Sequence, residues 1–388
     1  MLNSKGERAL AYIVTLDEKK PIEGYSRVEY GRSNGWWCII SKEDNIQVGD
    51  KCVYFEVDSK VPSTDERFAF LEKRHYKIKT QKMCKVLSQG LLMPITLFPE
   101  FKDLEVGSDV TDLLGVKYSV EEDNARKNTN PNAKYDAMMQ RRKKLFKKPW
   151  AKWFMRRSWG RKLMFLFFGK KKDNPRGFPS FISKTDEERV ENMPWILDDN
   201  ETRWLVTEKL DGTSCTYALE RKKKDKYEFY VCSRNVRQAD QNQTCYHDHN
   251  IYWDLAFSNH IESVLKTLLI RDPELSWVAI QGEGVGNVQG NPLKLSADDL
   301  YVFNLIDSKY GRYPSEQGKK VLEEFNIKWV PILGEETLPS TMEEMKELAD
   351  GKSMVNPEVS REGLVYRSLD GKQSFKNVSN KYLLKSKE

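Results

Sequence analysis

Trp204-Leu205-Val206-Thr207-Glu208-Lys209-Leu210-Asp211-Gly212-Thr213-Ser214 is the stretch on which the fold turns. An apolar run ends in a lysine, an acid follows two residues on, and a glycine comes directly after it. The run predicts a strand, and the Asp-Gly that follows predicts a turn. A lysine at a strand's end, desolvated by its surroundings, is expected to have a lowered pKa and so to present a free amine as a nucleophile toward phosphorus or carbonyl carbon. Alone, Lys-x-Asp-Gly is a common surface turn. Its weight comes from the residues downstream.

Ser233-Arg234-Asn235 follows the apolar run Phe229-Tyr230-Val231-Cys232, and an arginine there suits a phosphate or the hydroxyls of a ribose. Gln281-Gly282-Glu283-Gly284 follows Val278-Ala279-Ile280, setting one carboxylate between glycines that let a ligand approach closely. Tyr301-Val302-Phe303-Asn304 offers an aromatic face at period two, suited to stacking on a purine. Arg361-Glu362-Gly363-Leu364-Val365-Tyr366 supplies a second carboxylate opening a strand. Ser374-Phe375-Lys376, Lys381 and Lys385 bring cations for a polyphosphate.

Strands are expected at Trp204–Val206, Cys215–Leu219, Phe229–Ser233, Val278–Gln281, Leu300–Ile306 and Gly363–Tyr366. Helices are expected at Trp253–Leu269, Ser315–Phe325 and Thr341–Ala349, giving a mixed α+β domain. Upstream, from Leu10 to about Leu114, short β-like runs alternate with turns. The runs are Ala11–Val14, Trp36–Ile40, Cys52–Val57 and the stretch from Lys82 to Ile95. The turns are Ser33-Asn34-Gly35, Val48-Gly49-Asp50 and Ser88-Gln89-Gly90. That profile predicts a small β-barrel of OB type.

Between the two lies the chain's charge asymmetry. Residues 141–176 hold 15 Lys and Arg against one acid, Asp173, so this block alone makes the chain basic; its net charge is +6. Trp150, Trp153, Phe154, Trp159, Phe165, Phe167 and Phe168 alternate with its cations, Arg156 and Arg157 among them. Three readings stay open: docking onto the domains, stacking on nucleic acid, or lying on an anionic membrane surface. No run of roughly 18 apolar residues exists to span a membrane, and Met1–Leu10 lacks the apolar core of a secretory signal. Six scattered cysteines fit reduced thiols in a cytoplasmic or nuclear compartment. Cys245, His247 and His249 form C-x-H-x-H, a loop rather than a zinc site for want of an evident fourth ligand.

Taken in order, the Lys209, Arg234, Glu283, Phe303, Glu362 and Lys376 segments resemble the covalent nucleotidyltransferases, the superfamily of ATP-dependent DNA and RNA ligases and mRNA capping enzymes. DNA ligases and capping enzymes carry an OB domain after the lysine segment. Here the barrel candidate precedes the catalytic segment and the sequence ends at Glu388. With Phe178-Pro179-Ser180-Phe181-Ile182-Ser183-Lys184-Thr185-Asp186-Glu187-Glu188-Arg189, Val53–Ser59 and Leu87–Leu91, the arrangement resembles RNA ligase family 5 over nearly the whole chain. The resemblance implies an OB-like domain (1–115), a polar and then basic linker (116–176), and an ATP-grasp-like adenylyltransferase domain of antiparallel sheets (177–388).

It further implies catalysis by Lys209, Glu362 and Lys376. The nucleotide would be bound by Glu208, Arg234, Glu283, Phe303, Lys376, Lys381 and Lys385, and Mg2+ or Mn2+ by Glu362 and Glu283. RNA contact would fall to Lys184 and Arg189, with Arg156 and Arg157 in the linker. Lys209 would take AMP from ATP and pass it to an RNA 5′-phosphate, and a 3′-hydroxyl would then displace it. Relatives carry Lys-x-Lys where this chain has Lys376-Asn377-Val378, leaving Lys381 and Lys385 to compete as the second lysine. No obligate protein partner is implied, and RNA repair or processing is the expected setting. The alternatives are a ligase for nicked hybrid or DNA duplexes, and a catalytically inactive RNA-binding scaffold.

Overall fold

The computed structural model describes residues 8–119, 178–223, 226–238 and 250–385. The basic block with Arg156 and Arg157 lies outside the described residues, as do Cys245, His247 and His249.

The N-terminal part is all β, with short 3-10 turns. Its strands are β1 (Ala11–Thr15), β2 (Glu18–Pro21), β3 (Val28–Ser33), β4 (Trp36–Ser41), β5 (Lys51–Phe55), β6 (Ser59–Lys60), β7 (Gln81–Met83), β8 (Val86–Ser88), β9 (Leu91–Pro94) and β10 (Lys117–Tyr118). β1, β5 and β9 form one antiparallel sheet, and β2, β3 and β4 a second. Ala11 and Ile13, with Val53 and Phe55, face a core built with Phe68, Met93 and Phe98. Tyr12 and Val14, with Cys52 and Tyr54, face another built with Trp36, Ile40 and Leu92. A strand buried on both faces has no polar side to show, which is why these runs are continuously apolar. The expected Lys82–Ile95 stretch is three strands, because Cys84 and Lys85 (φ 52° and 63°) and Gly90 (φ 86°) each turn the chain.

The C-terminal part contains β11 (Glu188–Arg189), β12 (Trp204–Lys209), β13 (Thr213–Arg221), β14 (Tyr227–Cys232), β15 (Trp277–Val285), β16 (Asp299–Asp307), β17 (Gly311–Arg312), β18 (Ile332–Glu336), β19 (Gly363–Ser368) and β20 (Ser374–Val378). They make two five-stranded sheets, ordered β11-β20-β19-β12-β18 and β14-β13-β15-β16-β17; all pairs are antiparallel except β11 with β20. The helix expected over Trp253–Leu269 is instead two, α1 (Ile251–Ser258) and α2 (Ile261–Arg271), because His260 between them takes a left-handed conformation at φ 52°. Leu255, Ile261, Leu265 and Leu269 of this pair cover Tyr217, Leu219, Val278 and Ile280 of the second sheet. α3 (Ser315–Glu323) adds Leu322 to the same core, and α4 (Met342–Leu348) buries Met345 against Trp204, Tyr366 and Phe375 of the first sheet. α5 (Asn380–Lys385) ends the described chain.

The two parts meet in a hydrogen-bonded seam. Asn192 Oδ1 accepts from the Tyr12 hydroxyl at 2.9 Å and the Trp36 indole at 2.5 Å, and its amide donates to Glu56 at 3.0 Å and Glu188 at 2.6 Å. Arg8 pairs with the fully buried Glu56. The Gly35 amide donates to the Glu191 carbonyl at 2.6 Å, so close that a Cβ on Gly35 would sit 2.5 Å from Glu191 Cα. Among the described residues no helix is long and apolar enough to cross a membrane.

Candidate active site

Strand register assembles the site. β12 pairs with β19 so that Lys209 lies opposite Gly363, which brings Glu362, the residue before the strand, beside the lysine. β13 pairs with β15 so that Ser214 lies opposite Glu283. Between β12 and β13 the chain passes from one sheet to the other through Leu210-Asp211-Gly212. Gly212 packs so tightly that a Cβ there would meet the Gly284 carbonyl at 2.3 Å. The turn therefore needs glycine for close approach.

The two sheets enclose a cleft of about 580 Å3, and Lys209, Glu208, Arg234, Glu283, Phe303, Glu362 and Lys376 all line it. These residues are spread over 169 positions of sequence, from Glu208 to Lys376. Lys209 Nζ donates to Glu362 Oε2 at 2.6 Å. Burial alone lowers the lysine's pKa, as its sequence setting implied. Glu362 and Glu283 outweigh burial, however, and raise it above its ordinary value. The expected free amine is thus corrected: Lys209 is held as an ammonium.

Its neighbours carry the complementary shift. Burial, together with Glu362 and Asp211, pushes the Glu283 carboxyl up to about 8 against the opposing pull of Lys209. At neutral pH Glu283 is therefore mostly protonated and able to donate a hydrogen bond. Glu362 is raised as well, first by burial. Glu208 is buried; burial raises its pKa, while its Oε2 accepts from the Met354 amide at 2.7 Å.

Asp186, also in the lining, holds two cations, Arg234 at 2.6 Å and Lys376 at 2.8 Å. Burial works against its charge, but Lys376 and Arg234 prevail and keep it well below the usual carboxylate range. Phe303 presents its ring to the cleft, backed by the buried guanidinium of Arg367, which lies 5.7 Å from the ring centroid and donates to the Phe303 carbonyl at 3.0 Å. Arg367 also reaches Glu187 at 3.3 Å.

Several residues in or behind the lining went unread in the sequence. Arg367 sits mid-strand and resembles a surface arginine until the fold buries it. Tyr382 donates to Asp211 at 2.6 Å, and Gln289 donates to the Gly212 carbonyl at 2.5 Å; together they hold the turn after the lysine. Tyr118, from the N-terminal part, lines the cleft with its ring 6.0 Å from the Arg234 guanidinium. No short-range pattern announces any of these contacts.

Other candidates fall elsewhere. Lys381 is largely exposed and pairs with Asp350 at 2.9 Å, away from the cleft lining, and Lys385 is the last described residue of α5. Lys184 is exposed and outside the lining, although Thr185 beside it belongs to it and meets the Ser214 hydroxyl at 3.0 Å. Arg189 is not on a nucleic-acid-accessible surface: it is buried in the seam, 5.4 Å from the Trp36 ring and 4.0 Å from Asp58, because β11 pairs with β20 beneath the N-terminal part. Among the described residues no three Asp, Glu, His or Cys side chains converge to hold a metal by themselves.

The family model described as RNA ligase matches residues 202–386, and one described as an OB-fold domain matches residues 10–95. The chain is similar over its whole length to solved structures of Naegleria gruberi RNA ligase. A point mutant without ligand is 31% identical, with 98% of each chain covered and a TM-score of 0.74. The enzyme with PPi is 32% identical, with 98% of this chain and 99% of that one covered, also at 0.74. A lysine-to-alanine mutant with ATP and Mn is 31% identical, with 99% of each chain covered and the same score. No curated protein sequence matches the chain. A lysine leaving one antiparallel sheet to face carboxylates from both, behind an N-terminal OB fold, defines a covalent nucleotidyltransferase. The chain belongs to the RNA ligase family.

Proposed function

We propose that this RNA ligase consumes ATP and joins an RNA 3′-hydroxyl to an RNA 5′-phosphate through two covalent transfers of AMP. The observation that carries the reading is Lys209 at the base of the cleft, 2.6 Å from Glu362. In the first step the Lys209 ammonium gives up a proton, which Glu362 takes. The amine then bonds to the α-phosphorus, the α–β anhydride bond breaks and pyrophosphate leaves. In the second step an RNA 5′-phosphate oxygen attacks the same phosphorus and restores the amine. In the third, a 3′-hydroxyl attacks the RNA phosphate and AMP departs.

The surrounding residues take roles that follow from their chemistry. Phe303 stacks on the adenine, with Arg367 fixing its backbone. Glu283, mostly protonated at neutral pH, donates to a ribose hydroxyl. Arg234 and Lys376 exchange Asp186 for phosphate oxygens, the more so because Asp186 already holds both toward one point. Glu208, tied to Met354, shapes the floor. The Glu362 carboxylate would suit Mg2+ or Mn2+, hard cations that take oxygen donors, whereas Glu283, holding its proton for the ribose, is the poorer ligand. Such an ion supplies positive charge to the phosphate oxygens and lowers the pKa of a nearby ammonium. In this reading the expected first-domain limit at 115 moves outward, since β10 (Lys117–Tyr118) pairs with β6, while the ligase domain keeps the limits 177–388.

The test is incubation with α-labelled ATP and Mn2+ without RNA, beside Lys209→Ala and a labelled GTP arm. Covalent, acid-labile label from ATP that is lost in Lys209→Ala is expected. No label in the wild type with either metal would overturn the reading in favour of an RNA-binding scaffold. Competition among nicked RNA, hybrid and DNA duplexes then identifies the preferred strand.

A further inference from the structure

Outside the cleft, the described N-terminal part carries a run rich in positive charge. From Lys73 to Gly90 the chain carries six Lys and Arg and no acid. The fold gathers four of them, Lys73, Arg74, Lys77 and Lys79, around a second groove of about 360 Å3 with no acidic residue in its lining. Lys73, Arg74 and Lys79 are exposed. Phe70 also lines it, 61% exposed, while Phe68 and Leu71 of the same 3-10 turn are buried in the core below. An aromatic face left in solvent beside four cations is poor design for a solvated surface. It matches a strand of nucleic acid, whose bases stack and whose phosphates repeat.

The groove also connects to the active site. Ser88 and Gly90 line it, and Gln89 between them donates to Asn380 of α5 at 3.0 Å. Two residues along α5, Tyr382 donates to Asp211, which is two residues from Lys209. A strand lying in the groove would therefore reach the seam beside the turn that carries the catalytic lysine.

We infer that this groove of the N-terminal part binds the RNA flanking the end to be joined, with Lys73, Arg74, Lys77 and Lys79 on phosphates and Phe70 stacking on a base. The inference rests on the ligase reading above. It adds a second RNA site that shares no residue with the cleft.

The experiment compares the wild type, the quadruple variant with Lys73, Lys77 and Lys79→Gln and Arg74→Gln, and Phe70→Ala. Lysyl-AMP formation from ATP without RNA is measured first, then equilibrium binding of a 5′-phosphorylated RNA from 50 to 200 mM salt, then joining. If each cation meets one phosphate, the quadruple variant loses about 3 to 4 from the slope of log affinity against log salt. Those four contacts account for about a 50- to 150-fold fall in wild-type affinity across that salt range. Lysyl-AMP formation should match the wild type, while joining at low RNA concentration falls with binding. Phe70→Ala should weaken binding about tenfold with the slope unchanged. Normal lysyl-AMP formation with an unaltered slope and unaltered joining would overturn the groove assignment and leave the ligase reading standing. Absent lysyl-AMP in the wild type would instead defeat the ligase reading itself.

Discussion

Glu362→Gln tests the electrostatics at the centre of the site. The substitution keeps the shape of the side chain but removes the carboxylate that lies 2.6 Å from Lys209 Nζ. A hydrogen bond to a charged group contributes about 1.5–3 kcal/mol; at 1.36 kcal/mol per pH unit, its loss lowers the lysine's pKa by about 1 to 2 units. Glu283 offsets part of this, because losing the Glu362 charge removes one cause of its raised pKa and leaves it more anionic beside the lysine, so the lower end of that range is expected. Burial, the largest single influence on Lys209, then prevails and pulls the amine toward its free form. Well below the pKa, that shift means about 10-fold more neutral amine. The assay is modification of Lys209 in the ligand-free protein by an amine-reactive reagent, followed by mass spectrometry of the Lys209 peptide from pH 7 to 10. The variant should react about 10-fold faster at pH 7 to 8, on the same scale, even though its rate of AMP transfer falls for want of the proton acceptor. Equal or slower modification in Glu362→Gln would refute the claim that Glu362 holds the lysine as an ammonium.

Further outcomes follow from the seam and the cleft. Glu56 is buried, and although burial opposes its charge, Arg8 and Arg189 hold its pKa at about 2 against an ordinary 4.5. Its folded-state value is the lower one, so its contribution of about 3 kcal/mol is present above pH 4.5 and lost as pH falls through about 2. Denaturant titrations should show Glu56→Gln destabilised by that order at pH 7, with a shallower loss of stability in acid than the wild type. Gly35→Ala drives a methyl into the Glu191 backbone, which costs about 1–3 kcal/mol; RNA joining should fall further than lysyl-AMP formation, since the seam and not the cleft is disturbed. Phe303→Ala removes the stacking ring and should raise the KM for ATP by about 5- to 150-fold, corresponding to about 1–3 kcal/mol, whereas Phe303→Tyr should stay within a few-fold of the wild type. Removing Mn2+ and Mg2+ with a chelator should abolish lysyl-AMP formation and restore it on readdition, as gel labelling would show.

Local pattern carried most of the element assignments. Continuous apolar runs such as Tyr12–Val14 and Val53–Phe55 read as strands because both of their faces are buried, and Asn34 and Gly49 turn the chain where the turn signals predicted. Elements decided by single residues were less legible. His260 breaks a helix that periodicity runs together, and β18 and β20 carry too few apolar residues to stand out. Lys209, Arg234, Glu283 and Glu362 could be singled out because each lies at or near the end of a strand-like run, where a sheet offers side chains to a ligand, whereas Phe303 stood out by aromatic residues at period two and Lys376 as a cation. Arg189 shows the limit of the same logic, since a charged residue in a polar segment reads as exposed until a parallel strand pair carries it into the seam.

The sequence alone determined which chemistry is available: a lysine before a glycine turn, carboxylates between or before glycines, and an aromatic strand, in the order of a covalent nucleotidyltransferase. Only the tertiary structure decided the state of that chemistry. The register of β12 on β19 sets Glu362 against Lys209, and the approach of two sheets brings Glu283 near both. Sequence position carries no information about that distance, and a lysine's pKa depends on it steeply. The amine that local burial would have freed is therefore held charged.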